Sequence, residues 1–347
     1  MSDPATAVLL FAAATVVAAI LTASARRYSL WRELLDHPGR RRSHALATPR
    51  GGGIGPVATI LVGGALLALI YPAHASVLGA CLCGLMAVAA IGWLDDHRPL
   101  PAWLRLLVQI LAAVVAALAL LGVPDSRMQT LWLVIAVGWI VGLTNAWNFM
   151  DGIDGLATTQ TVLVTLCVFA GALLHGWLEP IWSGFAVIAA GASLGFLPFN
   201  FPRARIFLGD VGSGAFGFIV ACLLLRAIVS GGMAWPLVLL PVSAFLIDAG
   251  LTLAMRMVQG RPWWRPHREH LYQWLVRSGI SHANTTLAYA AWTLASCLAT
   301  LALADLDARR SAGIAVAALL SAALLWSWAR KRLWSNAKTS NSRAGLR

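Results

Sequence analysis

Long apolar segments alternate with short polar loops along almost the whole chain. Segments of about 20 residues can cross the ~30 Å hydrocarbon core of a bilayer as helices. The pattern therefore predicts about eleven transmembrane helices, which we place near residues 5–24, 53–72, 75–94, 103–123, 130–148, 156–175, 180–198, 212–230, 235–256, 284–303 and 311–329.

The composition supports an all-α polytopic integral membrane protein. Hydrophobic residues make up 59% of the 347 positions and charged residues only 12%, which excludes an ordinary soluble domain. The first apolar segment has no charged stretch before it and no small-residue cleavage site after it, so we expect a retained helix and not a signal peptide. We predict one transmembrane domain over residues 1–334 and a polar cytoplasmic tail over 335–347.

Arginine and lysine set the expected orientation. Loops on the cytoplasmic side of membrane proteins are enriched in basic residues. The loop after the first segment is the clearest case, since it carries Arg26, Arg27, Arg32, Arg40, Arg41, Arg42 and Arg50. We therefore predict an outer N-terminus and a cytoplasmic C-terminus. The net charge of +12 then reflects topology and attraction to anionic lipid, and no nucleic-acid partner is expected.

Polar motifs lie in four of the predicted loops, and all four loops fall on the cytoplasmic side. They contain Asp95-Asp96, residues 145–154, residues 200–210 and residues 261–282. Ionisable residues at a membrane edge are costly to desolvate and are functional candidates by default. Incidental polar residues would have been divided between the two faces. The sequence therefore predicts one site at the cytoplasmic surface.

The residue types in these loops favour phosphate chemistry. Mg²⁺ binds one or two carboxylates and takes its other ligands from water and substrate phosphates. Asp95 and Asp96 point about 100° apart on a helix and cannot share one role. Asp151 and Asp154 share a face if their turn is helical. Several aspartates together with several arginines indicate a diphosphate substrate bridged by a metal ion.

Several of these aspartates have structural alternatives. Asp96 and Asp154 could each act only as a helix N-cap. Asp248 lies inside the ninth predicted segment, where a structural hydrogen bond to a neighbouring helix competes with a functional role. We expect three other carboxylates to be solvated loop residues, namely Asp36, Asp305 and Asp307.

Taken together, the motifs resemble those of the bacterial polyprenyl-phosphate N-acetylhexosamine-1-phosphate transferases. The resemblance covers roughly residues 36–282, and its two longest motifs are the most specific. The matching stretches are Asp36-His-Pro with His44, Thr48-Pro-Arg50-Gly-Gly, Leu94-Asp95-Asp96, Asn145-Ala-Trp-Asn148-Phe-Met-Asp151-Gly-Ile-Asp154-Gly-Leu-Ala, Asn200-Phe-Pro-Arg-Ala-Arg-Ile-Phe207-Leu-Gly-Asp210-Val-Gly-Ser, and Arg268-Glu-His270-Leu through Gly279-Ile-Ser-His282.

The resemblance implies transfer of a sugar 1-phosphate from a UDP-sugar to undecaprenyl phosphate, with release of UMP and with Mg²⁺, or alternatively Mn²⁺, as cofactor. It implies that Asp210 binds the metal and that Asp95 binds or deprotonates the lipid phosphate. Asp151 and Asn148 would line the diphosphate and nucleoside site. The remaining matched residues are Asp96 and His270 as catalytic candidates and Arg50, Asn145, Asp154, Asn200 and Phe207 as substrate-binding candidates, with Asp154 and Phe207 at the uracil ring.

One departure from the family pattern concerns the sugar. Where the family commonly reads His-x-His-His, this chain reads His270-Leu-Tyr272-Gln273. The missing histidines argue against the peptidoglycan precursor as substrate and for the branch that initiates O-antigen or teichoic-acid assembly. They suggest a deoxy-N-acetylhexosamine such as FucNAc or QuiNAc.

Two other classes of membrane protein also carry acidic residues in or beside their helices. An ion-coupled transporter should cluster its acids near the membrane midplane and not on one face. A CDP-alcohol phosphotransferase should carry an arginine that Asp154-Gly-Leu-Ala lacks. We therefore expect an enzyme of the bacterial inner membrane whose partners are undecaprenyl phosphate, a UDP-N-acetylhexosamine and membrane lipid. The sequence leaves the oligomeric state open, a homodimer included.

Overall fold

The computed structural model describes residues 4–36, 47–262 and 267–344, with side chains described as far as residue 333. These residues form twelve α-helices and one two-stranded hairpin. The helices are α1 (Pro4–Trp31), α2 (Ile54–Ile70), α3 (Ala75–His97), α4 (Ala102–Leu121), α5 (Arg127–Met150), α6 (Leu156–His175), α7 (Pro180–Asn200), α8 (Asp210–Val229), α9 (Ser243–Val258), α10 (Leu271–Arg277), α11 (His282–Ala302) and α12 (Ala308–Ala344).

The all-α membrane fold is confirmed, since every predicted apolar segment overlaps an α-helix. Within the described ranges, nine helices are long and apolar enough to cross a membrane. The other two predicted spans correspond to α2, with 17 residues, and α9, with 16. The crossing of the bilayer by these two helices and the orientation of the chain in the membrane remain predictions.

The predicted start of the ninth span at residue 235 is wrong. Residues Trp235–Leu239 form a 3₁₀ helix, and α9 begins only at Ser243. Pro236 and Pro241 explain the interruption, because proline has no N–H to donate and its ring clashes with the preceding turn of an α-helix. Conversely, the short helix α10 lies in a loop for which the hydrophobic pattern predicts no helix.

The most buried helices are α7 and α8, which lie at the centre of the bundle. Glycines let α8 approach its neighbours closely. A Cβ on Gly92 of α3 would lie 2.4 Å from the carbonyl oxygen of Asp210, and a Cβ on Gly217 of α8 would lie 2.4 Å from that of Leu143 in α5. Any side chain would push these helices apart. The contacts therefore hold the end of α3 against the beginning of α8.

A short hairpin and an adjoining segment close one end of the bundle. Strands β1 (Leu35–Asp36) and β2 (Thr48–Pro49) pair antiparallel, with Asp36 opposite Thr48. The chain then runs beside Phe207, whose N–H donates to the Pro49 carbonyl and whose carbonyl accepts from Gly52. This pairing brings two distant sequence motifs together. His44, together with Arg40, Arg41 and Arg42 of the predicted basic loop, lies outside the described residues.

Candidate active site

The four polar motifs meet at one end of the helical bundle, around a cavity of about 230 Å³. The same end carries the last turns of α3, α5 and α7 and the first turns of α8 and α11. The cavity is lined by Asp36, Arg50, Asp96, Asp151, Gly152, Ile153, Asp154, Asn200, Phe207, Gly209, Asp210, Arg268, Gln273 and His282. Segments far apart in the sequence thus contribute to one polar site.

Asp96 caps a helix other than its own. It is 5% exposed, and its two carboxylate oxygens accept the backbone N–H groups of Asp210 and Val211 at 3.1 and 3.2 Å. These donors belong to the first turn of α8 and have no partner within that helix. Gly209 is required beside them, because its φ is +77° and a Cβ there would lie 2.5 Å from the Asp96 carboxylate. The capping role is therefore present, while the catalytic role of Asp96 stays a prediction.

Arg105 of α4 joins the two aspartates for which the sequence predicts phosphate and metal roles. Its Nη1 lies 2.8 Å from Asp95 and 2.7 Å from Asp210. The Asp95 side chain is 16% exposed and that of Asp210 is 32% exposed. Asp95 also accepts the N–H of Leu100 at 2.6 Å. Arg105 is not among the residues predicted from the sequence, although a basic residue in the first turn of an otherwise apolar helix was an available signal.

The turn after α5 presents Asp151 and Asp154 to the cavity. Asp154 Oδ1 lies 3.3 Å from His282 Nδ1 at the start of α11, so this histidine motif reaches the same site. Burial raises the pKa of Asp151 well above its usual range, and the neighbouring carboxylates of Asp210, Asp96 and Asp154 raise it further. The carboxylates of this turn therefore repel one another, and a cation bound beside them would favour their ionised forms.

Asn200, at the end of α7, orders the backbone around this turn. Its Oδ1 accepts the Gly155 N–H at 3.0 Å and the Thr158 hydroxyl at 3.3 Å, and its Nδ2 donates to the Ile206 carbonyl at 3.2 Å. Gly155 has a φ of +74°, a conformation that favours glycine. Asn200 lines the cavity but is 3% exposed, so most of its hydrogen-bonding capacity is used within the protein. Its nucleoside-binding role stays a prediction.

Asn145 and Asn148 are outside the cavity lining. Asn145 Nδ2 donates to Gln109 Oε1 of α4 and to the Val141 carbonyl, both at 2.8 Å. Asn148 Nδ2 donates to Ser213 Oγ of α8 at 3.0 Å. Both amides therefore connect α5 to a neighbouring helix. Their predicted contacts with substrate remain untested.

Two catalytic candidates, Asp95 and His270, also lie outside the lining. His270 is 2% exposed, and its Nδ1 lies 3.9 Å from Asp248 Oδ1. Its ring stacks on Phe149, with centroids 6.2 Å apart. Burial lowers the pKa of His270 below its usual value. The cavity wall at this point consists instead of Arg268 and Gln273, and the catalytic role of His270 stays a prediction.

Two further carboxylates, Asp36 and Asp248, also have defined surroundings in the structure. Asp36, expected to be a solvated loop residue, lines the cavity from β1. Asp248 accepts hydrogen bonds from three neighbouring helices, so the hydrogen bonding that the structural alternative predicts is present.

The carboxylate arrangement fits a hard divalent cation that shares its ligands with a substrate. In the described part of the chain, no group of three or more His, Cys, Asp or Glu side chains could hold a metal ion alone. Mg²⁺ does not need such a cage, because it keeps several waters and takes substrate phosphates as ligands. Asp210, with Asp151 and Asp95 nearby, provides oxygen donors and excess negative charge. The residues present therefore fit Mg²⁺.

Comparison with known proteins identifies the family. The profile of glycosyl transferase family 4 matches residues 78–228, which include Asp95, Asp151 and Asp210. The chain is 30% identical over 297 residues to the probable undecaprenyl-phosphate N-acetylglucosaminyl 1-phosphate transferase of Bacillus subtilis (strain 168), covering 81% of this chain and 80% of that protein. It is 31% identical over 296 residues to the decaprenyl-phosphate N-acetylglucosaminephosphotransferase of Mycobacterium tuberculosis (strain ATCC 25618 / H37Rv), covering 74% and 72%.

A relative with a different printed activity aligns over less of the chain. The phospho-N-acetylmuramoyl-pentapeptide-transferase of Heliobacterium modesticaldum (strain ATCC 51547 / Ice1) is 30% identical over 221 residues, covering 58% of this chain and 67% of that protein. The resemblance inferred from the motifs is confirmed. The chain belongs to glycosyl transferase family 4, and it is a membrane-integral phosphotransferase that transfers a sugar 1-phosphate to a polyprenyl phosphate.

Proposed function

We propose that this enzyme transfers an N-acetylhexosamine 1-phosphate from a UDP-sugar to undecaprenyl phosphate, releases UMP and so initiates a cell-surface polysaccharide, with Mg²⁺ as cofactor. The observation that carries the proposal is the polar cavity at the helix ends, where five aspartates and two arginines face each other. A lipid phosphate anchored in the bilayer and a soluble nucleotide can meet only at such an interface.

The charge of the cavity supports a role for a divalent cation. The lining carboxylates are those of Asp36, Asp96, Asp151, Asp154 and Asp210, against the guanidinium groups of Arg50 and Arg268. A sugar diphosphate adds further negative charge. Anions of this kind bind beside carboxylates only when cations lie between them. When bound, Mg²⁺ supplies neutralisation of the diphosphate oxygens and stabilises charge that develops during transfer.

Within this proposal, each cavity residue has a specific task. Asp210 anchors the cation. Arg50 and Arg268 neutralise the phosphates, and Arg50 is positioned by its own hydrogen bond to the Asp96 carbonyl. Arg105 donates hydrogen bonds to Asp95 and Asp210, and its positive charge offsets the repulsion between these two carboxylates. Asp95 can then bind the incoming lipid phosphate or accept its proton. Asp154 and Phe207 lie on the lining where a nucleobase would be held.

The chemistry follows from phosphoryl transfer. An oxygen of the lipid phosphate attacks the β-phosphorus of the UDP-sugar, and the bond from that phosphorus to the bridging oxygen breaks. UMP leaves with the bridging oxygen, and the lipid retains a diphosphate-linked sugar. The protein contributes mainly by positioning the two phosphates and by stabilising charge in a site with restricted solvent access.

We place the cavity on the cytoplasmic face of the bacterial inner membrane. The cavity lies at the end of the bundle where α1 ends, close to Arg26, Arg27 and Arg32 in sequence, and Arg50 lines it. The positive-inside rule assigns this basic end to the cytoplasm. Reporter domains fused after Arg50 or Arg277 should be active in the cytoplasm, and fusions after Ser126 or Asp307 should not. Active cytoplasmic reporters at both of the latter sites would overturn the orientation.

The sugar is the part of the proposal that needs a direct assay. Tyr272 and Gln273 stand where the family commonly has histidines, which favours a deoxy-N-acetylhexosamine such as FucNAc or QuiNAc over the peptidoglycan precursor, with GlcNAc as the alternative. Purified enzyme should be incubated with undecaprenyl phosphate, Mg²⁺ and a panel of UDP-sugars, and UMP release measured. One UDP-sugar should release UMP only when the lipid phosphate is present. Release with none of them would refute the proposed reaction.

A further inference from the structure

Asp248 lies in the middle of α9 and is 1% exposed, yet its carboxylate is densely hydrogen-bonded. A buried carboxylate is tolerated only when donors replace the water that it has lost. Five donors from four helices do so here: Leu271 N (2.7 Å), Tyr272 N (3.3 Å), Tyr289 Oη (2.7 Å), Trp326 Nε1 (3.0 Å) and Thr252 Oγ1 (3.4 Å).

Two of these donors are the first backbone N–H groups of α10. Leu271 and Tyr272 begin this helix, and their N–H groups have no intrahelical acceptor. Asp248 therefore caps α10 from another helix, at the point where a negative charge is most favourable to a helix. Asp248 thereby connects the first turn of α10 to α9.

From α10 the contacts continue to the Asp151 turn. Tyr272 Oη donates to the Phe149 carbonyl at 3.0 Å and accepts from Gln273 Nε2 at 3.1 Å. A Cβ on Gly152 would lie only 2.1 Å from the same Tyr272 oxygen, so the tyrosine lies directly against the turn that presents Asp151. Gln273 in turn lines the cavity. Tyr272 therefore joins α10 to the acidic wall of the site.

We propose that Asp248 is a positioning residue for sugar-phosphate transfer. By capping α10 it holds Tyr272 against the Phe149–Gly152 turn and holds Gln273 in the cavity wall, although it touches neither substrate nor metal. The inference rests on the proposed function, because it concerns the wall of the site that receives the nucleotide sugar. A purely structural role is the competing explanation, since the same carboxylate also joins α9 to α11 and α12.

The matched control is Tyr289, whose hydroxyl donates to the same carboxylate from α11. This hydroxyl also lies beside the Tyr272 N–H, but Y289F leaves the Asp248 carboxylate as the acceptor of both α10 N–H groups. In D248N, one acceptor oxygen becomes an NH₂ group facing backbone donors. We expect kcat/KM for the UDP-sugar to fall by about tenfold or more. In Y289F it should stay within about twofold of wild type, with both proteins present in membranes at wild-type amounts.

A double-mutant cycle separates positioning from general stability. Y272F removes the hydroxyl that donates to Phe149 and should lower kcat/KM on its own. If Asp248 acts through Tyr272, the D248N/Y272F double variant should be little worse than D248N, because both changes break one chain of contacts. Fully additive losses would overturn the proposal. If D248N fails to insert, Y272F decides instead, and wild-type kcat/KM in Y272F would equally overturn it.

Hydrogen exchange provides a measurement that does not depend on catalysis. Amides of residues 267–279 should exchange faster in D248N than in wild type and at the wild-type rate in Y289F. Unchanged exchange in D248N would refute the capping role. If the wild-type enzyme releases no UMP with any UDP-sugar, the proposed function fails, while the exchange result still decides whether Asp248 positions α10.

Discussion

Replacing Asp210 by asparagine tests the centre of the proposed site. The substitution removes one negative charge and keeps the shape of the side chain. The local fold should survive, because the Asp210 N–H remains bound to Asp96 and Arg105 keeps Asp95 as its partner. A partly exposed ion pair such as the one lost here, with Asp210 32% exposed, contributes ~1 kcal/mol or less to stability.

The catalytic loss should be much larger than the loss of stability. Two unit charges about 4 Å apart interact by ~4 kcal/mol at an effective dielectric constant near 20, and a divalent cation doubles the charge. If Asp210 anchors the cation that neutralises the transferring phosphate, even ~4 kcal/mol lost in the transition state lowers kcat by about a thousandfold. The two effects therefore differ clearly in size.

The assay is UMP release at saturating Mg²⁺ and saturating lipid phosphate, with the thermal midpoint in detergent measured in parallel. Asp307→Asn is the matched control. Asp307 accepts the N–H groups of Arg309 and Arg310 at the opposite end of the bundle, so the same substitution there perturbs a helix start without touching the cavity. Retention of more than about a tenth of wild-type release by D210N would show that Asp210 does not anchor the metal.

Two further predictions concern charge. Arg105→Gln leaves Asp95 and Asp210 without their shared positive partner and so should strengthen Mg²⁺ binding. The Mg²⁺ concentration for half-maximal UMP release should therefore fall several-fold in R105Q and stay near the wild-type value in R105K. An unchanged Mg²⁺ titration in R105Q would contradict this. Burial, followed by the neighbouring His270, lowers the pKa of His267 from 6.5 to about 4. The unfolded chain therefore takes up a proton there before the folded protein does, and stability should fall as pH drops from about 6.5 towards 4. The thermal midpoint of His267→Gln should show a smaller fall over that range, and an identical pH slope in both proteins would contradict the assignment.

The positions of the motifs relative to the helices could be predicted from sequence alone, because burial of apolar side chains in lipid and the charge of the flanking loops are local properties. Asp95, Asp151 and Asp210 were expected at helix ends, and they lie there. Their partners could not be predicted in the same way. Arg105 is 105 residues from Asp210 in sequence, and only the packing of α4 beside α3 and α8 brings its guanidinium between the two carboxylates.

Similar reasons explain the residues whose surroundings differ from expectation. His270 occupies a motif position and is a predicted catalytic residue, but it is buried, while Gln273 of the same segment lines the cavity. Asn145 and Asn148 project from α5 toward α4 and α8. The direction in which a side chain points depends on the rotation of its helix and on which helices lie beside it. Hydrophobic periodicity indicates neither of these clearly in a membrane protein, because the lipid and the protein interior are both apolar.

The amino-acid sequence was sufficient to predict a helical membrane protein and the loops between helices in which the polar motifs lie, and the residue types in those loops predict a carboxylate and phosphate site. Those features follow from segment length, polarity and residue type, which act over a few residues at a time. The cap that Asp96 gives to α8, the pairing of Asp154 with His282 and the support of α10 by Asp248 all join residues more than 20 positions apart. Such contacts depend on how closely whole helices approach one another, as at Gly92 and Gly217, and therefore appear only once the chain has packed.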